Sequence, residues 1–320
     1  MRVLITGLGL VTPLGQEPDA LWARLRDGTV VLASEDDLAG LPSALCGRVG
    51  PVDLRAWLRR RKDRKLLSRA AELALPAAGR ALGGWAGDRV GLGLFVGVGR
   101  EPPDTGSAEP ALVAACIDGR LDPTALAGAG RELYPPLLPL LTLPNLVLSH
   151  VSINLGVMGP NGTVAGEAAA GLGALAEACH AIAEGRCPAA LAGAADSRVD
   201  FGTARDLYRL GRAGPARSPA EGAVFLLLEP EGSASPALAT ITGVRRSPSA
   251  GDLPLPPRVL CGDLGAADGL LALAAALLAE RWGWVEASDD EGGQVAIALQ
   301  PPPGPGRDTL PAVPSEGDPR

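Results

Sequence analysis

Histidine is nearly absent from this chain of 320 residues: His150 and His180 are the only two. A Ser-His-Asp or Cys-His-His catalytic set would have to use one or both. Aromatic residues make up only 3%, so Ala, Leu, Val and Gly must fill the core. The five cysteines, Cys46, Cys116, Cys179, Cys187 and Cys261, form an odd, widely spaced set with no CxxC. That pattern argues against a disulfide framework or a zinc site. A basic excess is also missing, since 29 Lys and Arg stand against 36 Asp and Glu for a net charge of −7. Nucleic acid, which needs a cationic footprint, is therefore not an expected partner. No long apolar run is present. The opening VLITGLGLV is short and broken by Gly7 and Gly9, so no signal peptide is expected. The Leu137–Leu148 run contains Pro139 and Pro144 and is too short to span a bilayer. The default expectation is a soluble cytoplasmic protein with no membrane partner, no metal and no cofactor.

What is present points to packed helices and strands. The apolar fraction is 47%, and the length suffices for one large α/β domain or two smaller ones. Strands are expected at Val3–Thr6, before a Gly-Leu-Gly turn, and at Val90–Val98, Val147–Val157, Ala189–Ala195, Ala223–Leu228, Ala237–Val244 and Val295–Leu299. Helical spacing marks Pro18–Leu25, Arg64–Leu82, Ala111–Ile117, Ala168–Glu184 and Leu264–Trp282. Pro76 should kink or split the second of these. From Gln300 onward the Pro/Gly-rich sequence reads as a disordered tail. A dinucleotide fingerprint fails because Thr12 stands where its third glycine is needed. The run Arg59 to Lys65 reads as a solvated helix start, or as a docking patch for an acidic partner.

The most informative stretch is Gly159 to Gly171, GPNGTVAGEAAAG. An apolar run ends at a Gly-Pro pair, a small-residue turn follows, and a helix begins at about Ala168. Such a turn holds a reactive side chain at a helix N-terminus, where free N–H groups and the helix dipole stabilise a thiolate or an oxyanion. The side chain at that position is the methyl group of Ala168. It cannot attack an acyl carbon, accept a proton or bind a metal.

In their order, these segments resemble the β-ketoacyl-acyl-carrier-protein synthases, the ketosynthases of the thiolase fold. VLITGLGLVTPLG, LPNLVLSHVSINLGVMGPNGTV, AIAEGRCPAALAGAADS and SPAEGAVFLLLEP carry the resemblance. It implies a layered αβαβα fold. A complete first half would span 1–230, a shortened second half 231–299, and the tail 300–320. Catalysis in that family needs a cysteine at the helix start, two histidines and an oxyanion hole. Matched residue by residue, the cysteine position is Ala168, framed by Gly159, Pro160, Thr163, Glu167 and Gly171. One histidine position is Asp263, in CGDLGAADG. The His-Gly-Thr loop expected between Val244 and Leu260 is absent, and a Gly-Phe-Gly-Gly loop is reduced to Gly292-Gly293.

These losses imply a non-catalytic subunit similar to the chain-length factors of type II polyketide and fatty-acid systems. The expected partners are an active ketosynthase and an acyl carrier protein, with dimer pairing through a strand near Val147–Asn154. Two alternatives stand beside it: a diverged condensing enzyme or malonyl decarboxylase, and a homodimeric module that binds an acyl chain or carrier protein. Glu167 reads as a residue that packs or caps at the helix start, and Asp263 as a cap for the following helix. Asp196 reads as a turn residue, and both histidines as structural.

Overall fold

In the computed structural model, the described residues are 2–83, 85–99, 105–214, 217–246, 258–290 and 292–303. Eight strands form one mixed sheet: β1 (Val3–Val11), β2 (Gly93–Gly99), β3 (Asn161–Gly166), β4 (Ala190–Ser197), β5 (Glu221–Pro230), β6 (Ala239–Arg245), β7 (Gly283–Ser288) and β8 (Gln294–Gln300). Their order across the sheet is β7-β8-β6-β1-β5-β4-β2-β3. The pairs β2–β3 and β2–β4 are parallel, and the other five pairs are antiparallel. The main helices are α1 (Pro18–Arg26), α2 (Arg69–Leu82), α3 (Glu109–Ala114), α4 (Leu146–Leu155), α5 (Ala168–Ala183), α6 (Phe201–Arg209) and α7 (Asp268–Leu278).

Small residues decide how these elements stack. α2 lies on β1, β4 and β5 and touches α4. A Cβ at Gly7 or Gly9 of β1 would collide with the carbonyls of Ala81 or Ala77 on α2. The expected Gly-Leu-Gly turn is therefore the middle of one long strand, and its glycines let a helix lie directly on the sheet. On the other face, α5 touches β2 and β4 and also β7 and β8, at the far end of the same sheet. Six strand spacings of about 4.8 Å separate β2 from β7, against a helix about 10 Å wide. Helix α5, with α7 beside it, thus packs on both ends of the sheet, and two large apolar clusters form the cores.

Other sequence expectations need correction here. The segment Val147–Val157, expected as a strand, falls mostly in helix α4, Leu146–Leu155. Its buried positions include Leu146, Val147, His150, Val151, Asn154 and Leu155, a helical spacing that its β-branched residues disguise. Gly156 ends it with a left-handed φ of 73°. Helix α2 starts at Arg69, capped by the Ser68 hydroxyl accepting from the Ala71 N–H, and runs unbroken through Pro76. Helix α3 stops at Ala114, and Cys116–Ile117 is a short strand. The expected disordered tail beyond residue 303 and most of the Val244–Leu260 interval lie outside the described residues. Among the described residues, no helix is long and apolar enough to cross a membrane.

Candidate site at the start of helix α5

Strand β3 delivers the chain to Glu167, and α5 begins at Ala168 where the sequence places it; the stretch Asn161–Gly166, expected as a turn after a strand, is itself the strand that leads in. Ala168 is buried. Helices α5 and α7 cross directly beside it. A Cβ added at Gly269 would lie 2.6 Å from the Ala168 carbonyl oxygen. A Cβ at Gly171 would lie 2.8 Å from the Ala266 carbonyl oxygen. Glycine is the residue that permits this approach.

The six residues of this neighbourhood do not all converge. Glu167, Ala168 and Gly171 share the helix start. Thr163 lies mid-strand opposite Val96. Gly159 and Pro160 lie at the far end of β3, about 20 Å away at ~3.3 Å per residue. Their task is register: the Gly159 N–H donates to the Leu92 carbonyl and the Pro160 carbonyl accepts from Leu94.

Glu167 stands at the N-cap position, but its side chain makes no cap. Instead its buried carboxylate pairs with Arg212 at 2.8 Å and Arg217 at 3.5 Å. The cap comes from the far end of the chain. The Ala169 N–H donates to the Asp289 carboxylate at 2.9 Å, and the Ala170 N–H donates to the Glu167 carbonyl at 2.9 Å. Asp289 sits in the β7–β8 turn, where its N–H donates to the Gly293 carbonyl.

Asp263 lies in the same lattice. Its carboxylate accepts from the Arg217 guanidinium and from the Gly265 N–H at 2.8 Å, and lies 3.5 Å from Arg198. It thus holds the turn before α7, as a cap would, while also pairing with arginine. Arg198 is 1% exposed and pairs with Asp196 at 3.2 Å. Asp196 also accepts from the Ala266 N–H at 3.2 Å, so it bridges β4 to the α7 approach rather than serving a turn alone. Arg217 reaches Asp290 at 3.0 Å. Burial would raise the Asp263 pKa, but the charges of Arg198, Arg258 and Arg217 outweigh it and hold the carboxyl well below the usual range. Burial and the neighbouring Asp263 charge push Asp268, paired with Arg258, up to about 7.

Neither histidine joins the site. The His150 Nε2–H donates to the Leu66 carbonyl at 2.9 Å, and burial lowers its pKa. His180 is twelve residues along α5 from Ala168, about 18 Å at ~1.5 Å per residue. Cys46, Cys179, Cys187 and Cys261 are buried thiols, and Cys116 is exposed. Burial pushes Cys179 up to about 12, the opposite of an activated thiolate. Sequence reasoning missed Arg198, Arg212, Arg217, Asp289 and Asp290. Their signal is charge complementarity between segments that only the fold brings together.

Comparison with known proteins agrees with this architecture. The family described as "Beta-ketoacyl synthase, N-terminal domain" matches residues 1–230. A 3-oxoacyl-acyl-carrier-protein synthase 2 of Rhizobium meliloti is 28% identical over 219 residues, covering 62% of this chain and 47% of that protein. A putative polyketide β-ketoacyl synthase 2 of Streptomyces halstedii is 27% identical over 266 residues, covering 76% and 62%. The chain spans about half the length of the first of these. Among solved structures, the ishigamide ketosynthase/chain length factor superposes with a TM-score of 0.70 at 22% identity, covering 94% of this chain and 99% of that one. A β-ketoacyl synthase from Burkholderia phymatum gives 0.69 at 18% identity, covering 94% and 99%. The shared fold is thiolase-like.

Proposed function

The chain belongs to the β-ketoacyl synthase family, and from that premise we propose that it is a non-catalytic, chain-length-factor-like subunit. It pairs with an active ketosynthase in fatty-acid or polyketide assembly and helps shape that partner's acyl tunnel. In this reading residues 1–230 are the ketosynthase-like first half, and 231–299 are a shortened second half.

The observation that carries the reading is the charge lattice around Ala168. A nucleophilic mechanism needs a thiolate at the helix start, a base, and N–H donors free to take an oxyanion. Here the nucleophile position is a methyl group. The matched histidine position is Asp263, locked as an anion by arginine. The Ala169 N–H already donates to a carboxylate. A ketosynthase/chain length factor among the fold relatives points the same way.

Two surfaces support the partner assignment. β3 lies at the edge of the sheet, beside β2 only, so its outer hydrogen-bonding groups suit pairing with another strand. The dimer contact expected at Val147–Asn154, which is helical, is therefore assigned to β3 instead. Residues 112–143 also expose Leu112, Val113, Ile117, Leu121, Leu133 and Leu137, an apolar concentration of the kind that marks an interface. For the carrier protein, Arg61 and Arg64 line an open pocket with Arg55, a surface suited to an acidic partner.

Co-expression with an intact ketosynthase tests this directly. The expected result is a stable 1:1 complex on size exclusion, lost when charged residues replace Val164 and Ala165 of β3. A chain that never co-purifies with a ketosynthase overturns the reading; a homodimer would favour the binding-module alternative.

A further inference from the structure

We propose that Asp289 is a built-in anion at the start of helix α5, and that the surrounding arginines hold its turn there so that the Ala168 position is closed to acyl thioesters. This deepens the non-catalytic reading and rests on it, because it states what fills the emptied site. Three observations carry it.

First, the Asp289 carboxylate accepts from the Ala169 N–H at 2.9 Å. That N–H is the second of the helix, beside the side chain at 168. A helix start favours an anion through its unpaired N–H groups and its dipole, and an acyl intermediate would present its oxygen to the same kind of donor. Here the anion belongs to the chain itself.

Second, close packing leaves little room between that carboxylate and the strand end. A Cβ added at Gly166 would lie 3.1 Å from Asp289 Oδ2, and one at Gly293 would lie 3.2 Å from the same atom. The turn is fixed by the Asp289 N–H to Gly293 carbonyl bond at 2.7 Å and the Gly292 N–H to Asp289 carbonyl bond at 3.0 Å.

Third, the next residue anchors the turn to the arginines. Asp290 lies 3.0 Å from Arg217 and 3.8 Å from Arg212. Those same arginines hold Glu167, immediately before Ala168. The plug is thus clamped to the helix start through guanidinium groups shared by Asp290 and Glu167. Arginine suits this role because its planar fork serves two carboxylates at once.

A thiol introduced at Ala168 reads the closure without requiring catalysis. Ala168→Cys, Ala168→Cys/Asp289→Ala and Ala168→Cys/Arg212→Ala are treated with iodoacetamide in the native state, and each cysteine is followed by peptide mass spectrometry. Exposed Cys116 is the internal reference, and the buried Cys179 and Cys261 report global unfolding. A carboxylate beside a thiol opposes its ionisation, and burial blocks the reagent. With Asp289 in place, the introduced thiol is expected to react at least ~100-fold more slowly than Cys116. Asp289→Ala is expected to raise its rate about 10-fold or more and to move its pH–rate midpoint down. Arg212→Ala should raise it by less, and Arg212→Lys should restore closure in part. Cys179 and Cys261 should stay protected throughout.

The proposal is overturned if the introduced thiol reacts as fast as Cys116 with Asp289 present, or if Asp289→Ala leaves its rate within about 2-fold. It is also overturned if the buried cysteines open together with it, since the lattice would then be a general staple of the fold. None of these outcomes bears on co-purification with a ketosynthase, so the two readings fail separately.

Discussion

The flank and the mouth of helix α5 are built by opposite means. Along the flank, contact is made by glycine and alanine: Gly171 against Ala266 and Ala194, and Gly97 of β2 against the backbone at Ala170. At the mouth, contact is made by Glu167, Asp263 and Asp290 with Arg198, Arg212 and Arg217, and by Asp289 with the Ala169 N–H. Packing between close backbones is limited by size and admits almost no substitution. Chemistry at a helix start is set by charge, and charge can be exchanged without moving the backbone. In the proposed function, the molecule keeps a ketosynthase-like architecture along the flank and carries charge pairs in place of reactive groups at the mouth.

Breaking the mouth should cost most. Arg217→Ala removes the guanidinium hydrogen-bonded to buried Asp263 and weakens the hold on Glu167 and Asp290. Loss of one member of a buried pair costs about 3 kcal/mol or more. Urea denaturation should show a lower midpoint with an unchanged slope.

Asp263→Asn separates charge from shape at the same place. Its folded pKa lies below the ordinary value of about 3.9. Between those two values the unfolded chain binds more protons than the folded one, so stability rises with pH. The part of the wild type's advantage that comes from the Asp263 charge should shrink as pH falls below about 4, where the unfolded carboxyl takes up its proton first. Stability curves from pH 7 to 3 check the sign.

Gly171→Val attacks the flank instead. Its Cβ would press on the Ala266 carbonyl at 2.8 Å, and overpacking of this kind costs about 1–3 kcal/mol. Unlike the previous change, its cost should not vary between pH 7 and 3, which is the clearest contrast between the two regions. Asp289→Ala is expected to be the mildest. It removes one helix cap, about 1 kcal/mol, visible as a small drop in thermal midpoint.

Much of the flank was legible in the sequence, and little of the mouth was. Helix α5 ends within a residue of its expected limit because small residues run from Ala168 and Gly185 follows with a φ of 69°. Strands β2, β4, β5 and β6 appear where apolar runs place them. Helix α4 was disguised because LVLSHVSINL is rich in residues that favour strands, and tertiary burial overrode propensity. Strand β7 carries no clear alternation and escaped notice, and β3 was hidden because its small, Gly-rich sequence reads as a turn. At the mouth, the helix start at Ala168 was readable from the run of small residues. Its partners were not, since Asp289 lies 120 residues from Ala169 in the chain. Charge pairing over such a span is fixed by topology, and a linear pattern does not encode it.

The central claim is that the site has exchanged bond formation for charge pairing. Its most direct test is incubation of the purified chain with malonyl carrier protein, followed by intact-protein mass spectrometry. The account predicts that the malonyl group keeps its mass at the rate of a blank, with no acyl adduct on the chain. Loss of carbon dioxide at a rate proportional to the concentration of this chain would contradict it.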